Sequence, residues 1–330
     1  MSAPPPPRWL TADMLLLDER CPLPLDRPFT TAELLSCVSR WYARELRRRG
    51  LVREVLRGVY VAAQVRDTIE LRVDALKLVV PPTAVVTDRT AAWLHGVDLL
   101  HRSAAYEAPP VEIFDRRHAA RMRRAGVRSG QRMMPDSDVM VVHGILVTTP
   151  LRTALDLGRL LPRYDALAAL DGFLRLGVQP ERVLASVERF RGERGVVQLR
   201  ELAPLADRRA ESPPESVLRG HWIDAGLPTP EPQWWVEDER GVPAFRIDVG
   251  LPALRFGAEY NGERFHTGEG PEGRDEARSA WLAERGGWTI AVFWRDDLFG
   301  REANPAARLH EGVRQARQAL GGWLPQGNYL

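Results

Sequence analysis

The tightest constraint on the fold is a pair of short apolar runs that alternate with polar residues on either side of a proline-containing break. Ala244-Phe-Arg-Ile-Asp-Val-Gly250 and Arg255-Phe-Gly-Ala-Glu-Tyr-Asn-Gly262 are joined by Leu251-Pro252-Ala253. Alternation of this kind belongs to a strand, and a Pro-bearing link between two such runs belongs to a hairpin. Asp248 and Glu259 are therefore expected to meet near one end of a sheet. Two acidic oxygens at one point can hold a divalent cation. Mg²⁺ prefers hard oxygen ligands and usually takes only one or two carboxylates from a protein, leaving positions for water and phosphate.

A chain of 330 residues exceeds one typical core, so more than one domain is expected. The formal net charge of +2 selects no partner class, but the arginines cluster, at Arg40 to Arg57 and at Arg116 to Arg132. Cys21 and Cys37 show no metal-ligand spacing, which argues against a zinc site or a disulfide framework. The start, Met-Ser-Ala-Pro-Pro-Pro-Pro-Arg, lacks a basic n-region, and no apolar run approaches a membrane span. A cytoplasmic protein without a membrane partner is the expectation.

Residues 1–28 read as a Pro-rich lead in which Leu10 and Met14 to Leu17 could dock as one helical turn. Thr30-Thr31-Ala32-Glu33 then offers a capping box for a short helix, and a second helix runs from Ser39 to Arg49, where Gly50 ends it. Leu51 to Val61 reads as a hairpin about Arg57-Gly58. Helix, helix, hairpin is the layout of a winged helix-turn-helix. Its second helix carries Trp41, Tyr42 and Arg49 besides Arg40, Arg44, Arg47 and Arg48, and the hairpin adds Arg53 and Arg57. Those last six arginines are the candidate DNA contacts, because such residues hold phosphates and read base edges in the major groove. A merely solvated basic helix is the competing reading.

Between residues 101 and 210, Val111 to Phe114 and Val139 to Val147 look like strands, while Arg116 to Arg132 is a basic excursion that either extends phosphate contacts or is simply solvated. Thr148-Thr149-Pro150 opens a helix through Leu161, with further helices from Tyr164 and Pro180. Arg152 and Asp156, one helical turn apart, read as a surface pair. Farther on, Asp275 to Arg285 is expected as a helix with Ala277, Trp281 and Leu282 inward, followed by a buried strand from Trp288 to Trp294. His95, His143 and His221 are scattered without partners at metal spacing.

The basic helix followed by Arg57-Gly58-Val59-Tyr60 resembles the N-terminal winged helix of abortive-infection type IV antitoxins, and Thr87-Asp-Arg-Thr-Ala-Ala-Trp-Leu-His95-Gly96 resembles the segment that follows it in that family. At the other end, Pro214-Glu215-Ser-Val-Leu-Arg219, Arg246-Ile-Asp-Val-Gly250, Glu259-Tyr-Asn-Gly262, His266, Arg274-Asp275 with Arg278, and Gly287-Trp288 resemble the PD-(D/E)XK nuclease superfamily. The likeness is in particular to the very-short-patch-repair-like endonuclease domains of many actinobacterial proteins. That resemblance implies Mg²⁺ or Mn²⁺ held by Glu215, Asp248 and Glu259. One position departs from the pattern: Asn261 stands where the superfamily has Lys, and the only lysine of the chain is Lys77. Arg cannot serve as the base, since its guanidinium stays protonated. Asn261 would orient a water, with Arg274 or His266 supplying charge or a proton. Glu215 has a second explanation, because Ser212-Pro213-Pro214-Glu215 is itself a capping box with Pro at the first helical position.

The expected architecture is a multi-domain α/β chain: a lead (1–28), a winged helix-turn-helix (29–100), an antitoxin-like α+β and helical connecting region (101–210) and a restriction-endonuclease-like α/β domain (211–330). Two functions stay open. One is a metal-dependent DNA endonuclease hydrolysing phosphodiester bonds. The other is a non-catalytic regulator or antitoxin that binds DNA and a toxin protein, built on an inactivated nuclease fold.

Overall fold

The computed structural model describes residues 7, 9–11, 13–99, 111–115, 127–238, 240–261 and 287–321. A mixed α/β chain results, divided into two units, Met1–Asp156 and Leu157–Leu330. No helix among the described residues is long and apolar enough to cross a membrane.

In the first unit the caps act where the sequence places them. After β1 (Phe29–Thr30), helix α1 (Thr31–Cys37) starts on a reciprocal box: the Thr30 hydroxyl accepts the Glu33 N–H at 3.2 Å, and Glu33 Oε2 accepts the Thr30 N–H at 2.9 Å. Helix α2 (Arg40–Arg48) starts on Ser39, whose hydroxyl accepts the Tyr42 N–H at 3.4 Å. The wing is β2 (Val52–Leu56) and β3 (Val59–Ala62), antiparallel, with β1 added at the other edge of β3. Gly58 turns the wing at φ +78°, and its carbonyl accepts the Thr31 N–H at 3.0 Å, which ties the turn to the first residue of α1. Leu34, Val38, Tyr42 and Leu46 bury against Phe29, Leu51, Val52 and Tyr60. The lead differs from expectation. Leu10, Leu17, Cys21 and Leu23 are buried in this same core, but they enter it through turns (Leu10 N–H to Pro7 O, Cys21 N–H to Asp18 O) with no helix among the described residues there. Proline lacks the N–H donor that a helix interior needs.

Helix α3 (Ile69–Lys77), not anticipated from the sequence, leads to a five-stranded mixed sheet. Its strands are β4 (Val85–Val86), then after α4 (Asp88–Leu94) β5 (Val111–Asp115), β6 (Val127–Gln131), β7 (Val139–Val142) and β8 (Ile145–Thr148), in the order β6-β5-β4-β8-β7. Val73, Leu76, Leu94, Val86, Ile113 and Val147 share one core with Leu56 and Val59 of the wing. The basic excursion is thus partly a strand: Arg128 pairs with Glu112 at 3.1 Å, whereas positions 116–126 lie outside the described residues.

The expected surface pair of Arg152 and Asp156 is instead deep in the protein, on α5 (Pro150–Leu160). Arg152 Nε donates to Asp156 Oδ2 at 2.8 Å, its Nη1 to Asp138 Oδ2 at 2.8 Å and its Nη2 to the Met133 carbonyl at 3.2 Å. Arg132 bridges Asp156 (2.9 Å) to Asp88 (2.6 and 2.9 Å) and lies over the Phe114 ring, 4.0 Å from its centroid. Buried charges persist only when paired and hydrogen-bonded. Here the partners come from four separate stretches of chain, which an i,i+4 spacing cannot announce.

The second unit opens with helices α6 (Arg163–Arg175), α7 (Pro180–Ser186) and α8 (Val196–Leu202). Helix α9 (Pro213–Asp224) precedes the meander β9 (Glu231–Glu237), β10 (Pro243–Leu251) and β11 (Phe256–Tyr260). Then β12 (Thr289–Phe293) lies parallel to β11, giving the order β12-β11-β10-β9, before α10 (Arg295–Phe299) and α11 (Pro305–Ala319). Trp222 of α9 stacks on Phe256 at 5.1 Å, and Val249, Phe293, Leu309 and Val313 complete that core. Bidentate Arg219 to Asp171 (2.8 and 2.7 Å) locks α9 to α6. Trp288 and Phe293 are buried as expected, but residues 289–292 between them are half-buried. The helix expected over 275–285 lies outside the described residues.

Candidate nucleic-acid interface

Helix α2 sorts its residues by angle. At 3.6 residues per turn, Arg47, Arg40, Arg44, Arg48 and Trp41 fall within an arc of about 120°, and all five are exposed, while Tyr42, Ala43 and Leu46 face the core. The arginines differ in what they touch. Arg47 pairs with Glu54 at 2.7 Å and Arg48 with Glu45 at 2.6 Å. Arg40, Arg44 and, at the wing turn, Arg57 have no hydrogen-bond or ion-pair partner among the described residues. Arg53 is engaged internally, half-buried and donating to the Val65 carbonyl at 2.9 Å. Glu54 also accepts the Gly58 N–H at 2.8 Å, so one carboxylate links wing turn and helix.

The acidic positions of the second unit are arranged differently. Strand pairing between β10 and β11 runs through Val249↔Ala258, Gly250↔Gly257 and Leu251↔Phe256, which makes Asp248 and Glu259 the next residues outward. Asp248 Oδ2 accepts the Tyr260 N–H at 2.9 Å, a side-chain bond to the backbone of the neighbouring strand. Ile247 joins a cluster with Val236 and Trp288 whereas Val249 joins the one around Phe256, so Asp248 sits where the strand changes its packing partners. Both acids are half-buried, side by side on adjacent strands.

Glu215 is turned toward its own helix start. Its Oε1 accepts the Ser212 hydroxyl at 2.6 Å, and Oε2 accepts the Glu211 N–H at 2.8 Å and the Gln233 amide at 2.7 Å. Gln233 is the residue of β9 between the pairs Ile247↔Trp234 and Val249↔Pro232, opposite Asp248. A carboxylate can only accept, so it fixes the Gln233 NH₂ toward itself. The Gln233 Oε1 is left buried without a hydrogen-bond partner among the described residues, on a residue whose φ is +56°. Left-handed backbone at a non-glycine residue costs about 1–3 kcal/mol and gathers at functional sites. Nothing in the run Glu231 to Glu237 signals this residue; only the fold does. Among the described residues no group of three or more His, Cys, Asp or Glu side chains is placed to hold a metal, so the expected three-carboxylate cluster is not formed there. Glu215 is turned back over the first turn of α9, where its carboxylate takes the Ser212 hydroxyl and the Glu211 N–H in place of the Ser212 N–H that a reciprocal box would use. Asn261 ends β11, with its N–H on the Phe293 carbonyl at 2.9 Å, while His266 and Arg274 lie outside the described residues.

Two of the scattered histidines pack within the fold. His95 Nε2 meets the Thr148 carbonyl at 2.8 Å, and His221 packs on Tyr164 with ring centroids 3.9 Å apart. Burial pushes both imidazoles below their ordinary range.

Residues 83–205 match the AbiEi antitoxin C-terminal domain. The match begins beyond β3 and runs through the segment expected to be a connecting region. Two curated relatives, Uncharacterized protein Rv2248 of Mycobacterium tuberculosis (strain ATCC 25618 / H37Rv) and Uncharacterized protein MT2308 of strain CDC 1551 / Oshkosh, are each 37% identical over 277 residues. Each alignment covers 83% of this chain and 97% of the relative, and the chain belongs to the family of these mycobacterial proteins. Among solved structures, the crystal structure of RV2827C protein from Mycobacterium tuberculosis aligns over 62% of this chain and 78% of its own at 15% identity. Its TM-score of 0.29 is too low to bear on fold or function.

Proposed function

We propose that this protein binds duplex DNA through α2 and the wing and acts as an antitoxin-type regulator, with a cognate toxin protein as the further partner that its AbiEi-like segment implies. The observation that carries the reading is the exposed arc on which Arg40 and Arg44, with Arg57 at the wing turn, have no hydrogen-bond or ion-pair partner among the described residues. Unpaired guanidinium groups are ready for phosphate. Arg47 and Arg48 can join them, because exposed ion pairs are worth at most about 1 kcal/mol and exchange readily for a phosphate oxygen. Duplex affinity measured by fluorescence anisotropy across a salt series tests this. Each phosphate contact contributes about 0.9 to the slope of log K against log salt, so replacing Arg40, Arg44 and Arg57 by Ala should flatten it by up to about 2.7. An unchanged slope and affinity would remove α2 and the wing from the DNA interface.

The second unit supports an additional reading. A helix, an antiparallel three-strand meander and a parallel fourth strand, with Asp248 pinned on β10 and Glu259 on β11, suit a PD-(D/E)XK-like endonuclease domain. The donors on offer are hard oxygens, including the orphaned Gln233 Oε1, and they fit Mg²⁺ or Mn²⁺ in kind. In this reading Asp248 and Glu259 hold the ion, and Glu215 acts through Gln233. When bound, such an ion lowers the pKa of a coordinated water and stabilises the charged phosphodiester transition state. Asn261 offers no base, and its part is to orient the water. Chelator-sensitive nicking of supercoiled DNA that disappears in Asp248→Asn would support the domain as a nuclease. Cleavage that persists in purified Asp248→Asn protein would rule this site out as its source.

A further inference from the structure

The chain has two cysteines, and the first unit brings both into one corner. Cys37, the last residue of α1, is exposed at the turn into α2, and its thiol donates to the Pro22 carbonyl with sulfur and oxygen 3.4 Å apart. Cys21 immediately precedes Pro22 and is buried beside Phe29, Leu34, Val38 and Tyr42. The Cys37 sulfur thus lies against the residue that follows Cys21. Burial pushes the Cys21 thiol up, a bond from Leu23 opposes this, and the charges of Asp18 and Cys37 add to the rise. A buried cysteine alone is ordinary packing. The pairing of that core cysteine with the exposed one, at the bend between the two helices, is what packing does not require.

We propose that Cys21 and Cys37 form a reversible dithiol–disulfide pair that staples the N-terminal lead to the α1–α2 turn. The oxidant is a small-molecule disulfide of the glutathione class. The Cys37 thiolate attacks one of its sulfurs and expels one thiolate, forming a mixed disulfide. Cys21 then gives up its proton and attacks the Cys37 sulfur, expelling the second thiolate, which takes up a proton. Two protein thiols become one disulfide, and one small-molecule disulfide becomes two thiols. Cys37 reacts first because it is exposed, and Cys21 resolves because Pro22, the residue after it, is held against the Cys37 sulfur. In proteins kept in reducing compartments such pairs are transient and sense redox state. The loop it closes, residues 21–37, contains β1 and all of α1, so oxidation constrains the helix-turn-helix itself.

Intact-mass and peptide analysis of the full chain after treatment with oxidised glutathione provides the test. The expected product is two hydrogens lighter, carries no glutathione, yields a Cys21–Cys37 linked peptide and reverts with dithiothreitol. It should also melt several degrees higher than the reduced protein. Cys21→Ser should trap glutathione on Cys37, and Cys37→Ser should leave Cys21 unreacted. A mixed disulfide that persists on Cys37 in the wild-type chain, or a dimer linked through Cys37 with Cys21 free, would overturn the proposal. Any effect on DNA affinity rests on the reading of α2 given above. Failure of the reduced protein to bind duplex would count against that reading and not against the disulfide.

Discussion

Replacing Arg152 by Met isolates the buried ion network of the first unit. The Arg152 side chain is 3% exposed and serves three acceptors in three directions: Asp156, Asp138 and the Met133 carbonyl. Methionine fills similar space and has nothing to donate. Asp138, 5% exposed, then loses this cation, and Asp156, 1% exposed, keeps Arg132. Removing one partner of a buried ion pair costs about 3–5 kcal/mol, because the remaining charge stays desolvated. A unit the size of Met1–Asp156 loses roughly 2–4 °C of melting temperature per kcal/mol, so the expected drop is roughly 6–20 °C. Differential scanning calorimetry of the full chain reads it directly. Arg152→Lys should fall between, since one ammonium keeps the charge but cannot copy the fork. Adding Asp138→Asn to Arg152→Met should restore part of the loss. A drop below about 3 °C for Arg152→Met would refute the reasoning, because the network would then contribute no more than a surface pair.

Further outcomes follow from other sites. Gly257→Ala places a methyl 2.6 Å from Ile247 Cγ2 and 3.0 Å from Ile290 Cδ1, so overpacking should cost about 1–3 kcal/mol in a denaturant melt. His95 is held below its ordinary value of 6.5 by burial, so its contribution is complete above that pH and is lost as pH falls below it. His95→Gln, which retains an N–H for the Thr148 carbonyl, should therefore lose less melting temperature than the wild type between about pH 7 and pH 5; His221 titrates alike in both proteins and cancels. Gln233→Ala should leave Glu215 its Ser212 and Glu211 bonds and so preserve α9, while Mn²⁺ affinity measured by electron paramagnetic resonance falls if the endonuclease reading is right.

Local chemistry was legible and long-range company was not. Thr30 with Glu33, Ser39, and Ser212 with Glu215 each announce a helix start through a side chain and a backbone group only a few residues apart. Both hairpins were written in alternation and in their turn residues, Arg57-Gly58 and Leu251-Pro252-Ala253. Helix α3 was missed because its buried positions, Leu71, Val73, Ala75 and Leu76, form no clean helical stripe. The strand at Val127–Gln131 hid among arginines, since polar residues on a half-buried strand resemble a loop. For the acidic positions, the placing of Asp248 and Glu259 on adjacent strands was legible, but the turn of Glu215 toward Ser212 and the orphaned oxygen of Gln233 arise only when β9 is laid beside β10.

The bond from Thr31 N–H to the Gly58 carbonyl, together with Glu54 joining Gly58 to Arg47, has a mechanical consequence. Arg57 is mounted next to that tied turn, so in the free protein, before Arg47 exchanges Glu54 for a phosphate, the wing tip and α2 form one gauge. A flexible wing would search for phosphates independently and lose that freedom on contact. If α2 and the wing contact DNA as proposed, the separation between the two contact points is set when the domain folds, and preorganisation removes part of the ordering cost of association. A duplex whose groove width mismatches the gauge has to deform to meet both. On the proposed DNA reading, discrimination by DNA shape would then follow from the hydrogen bonding within the wing turn.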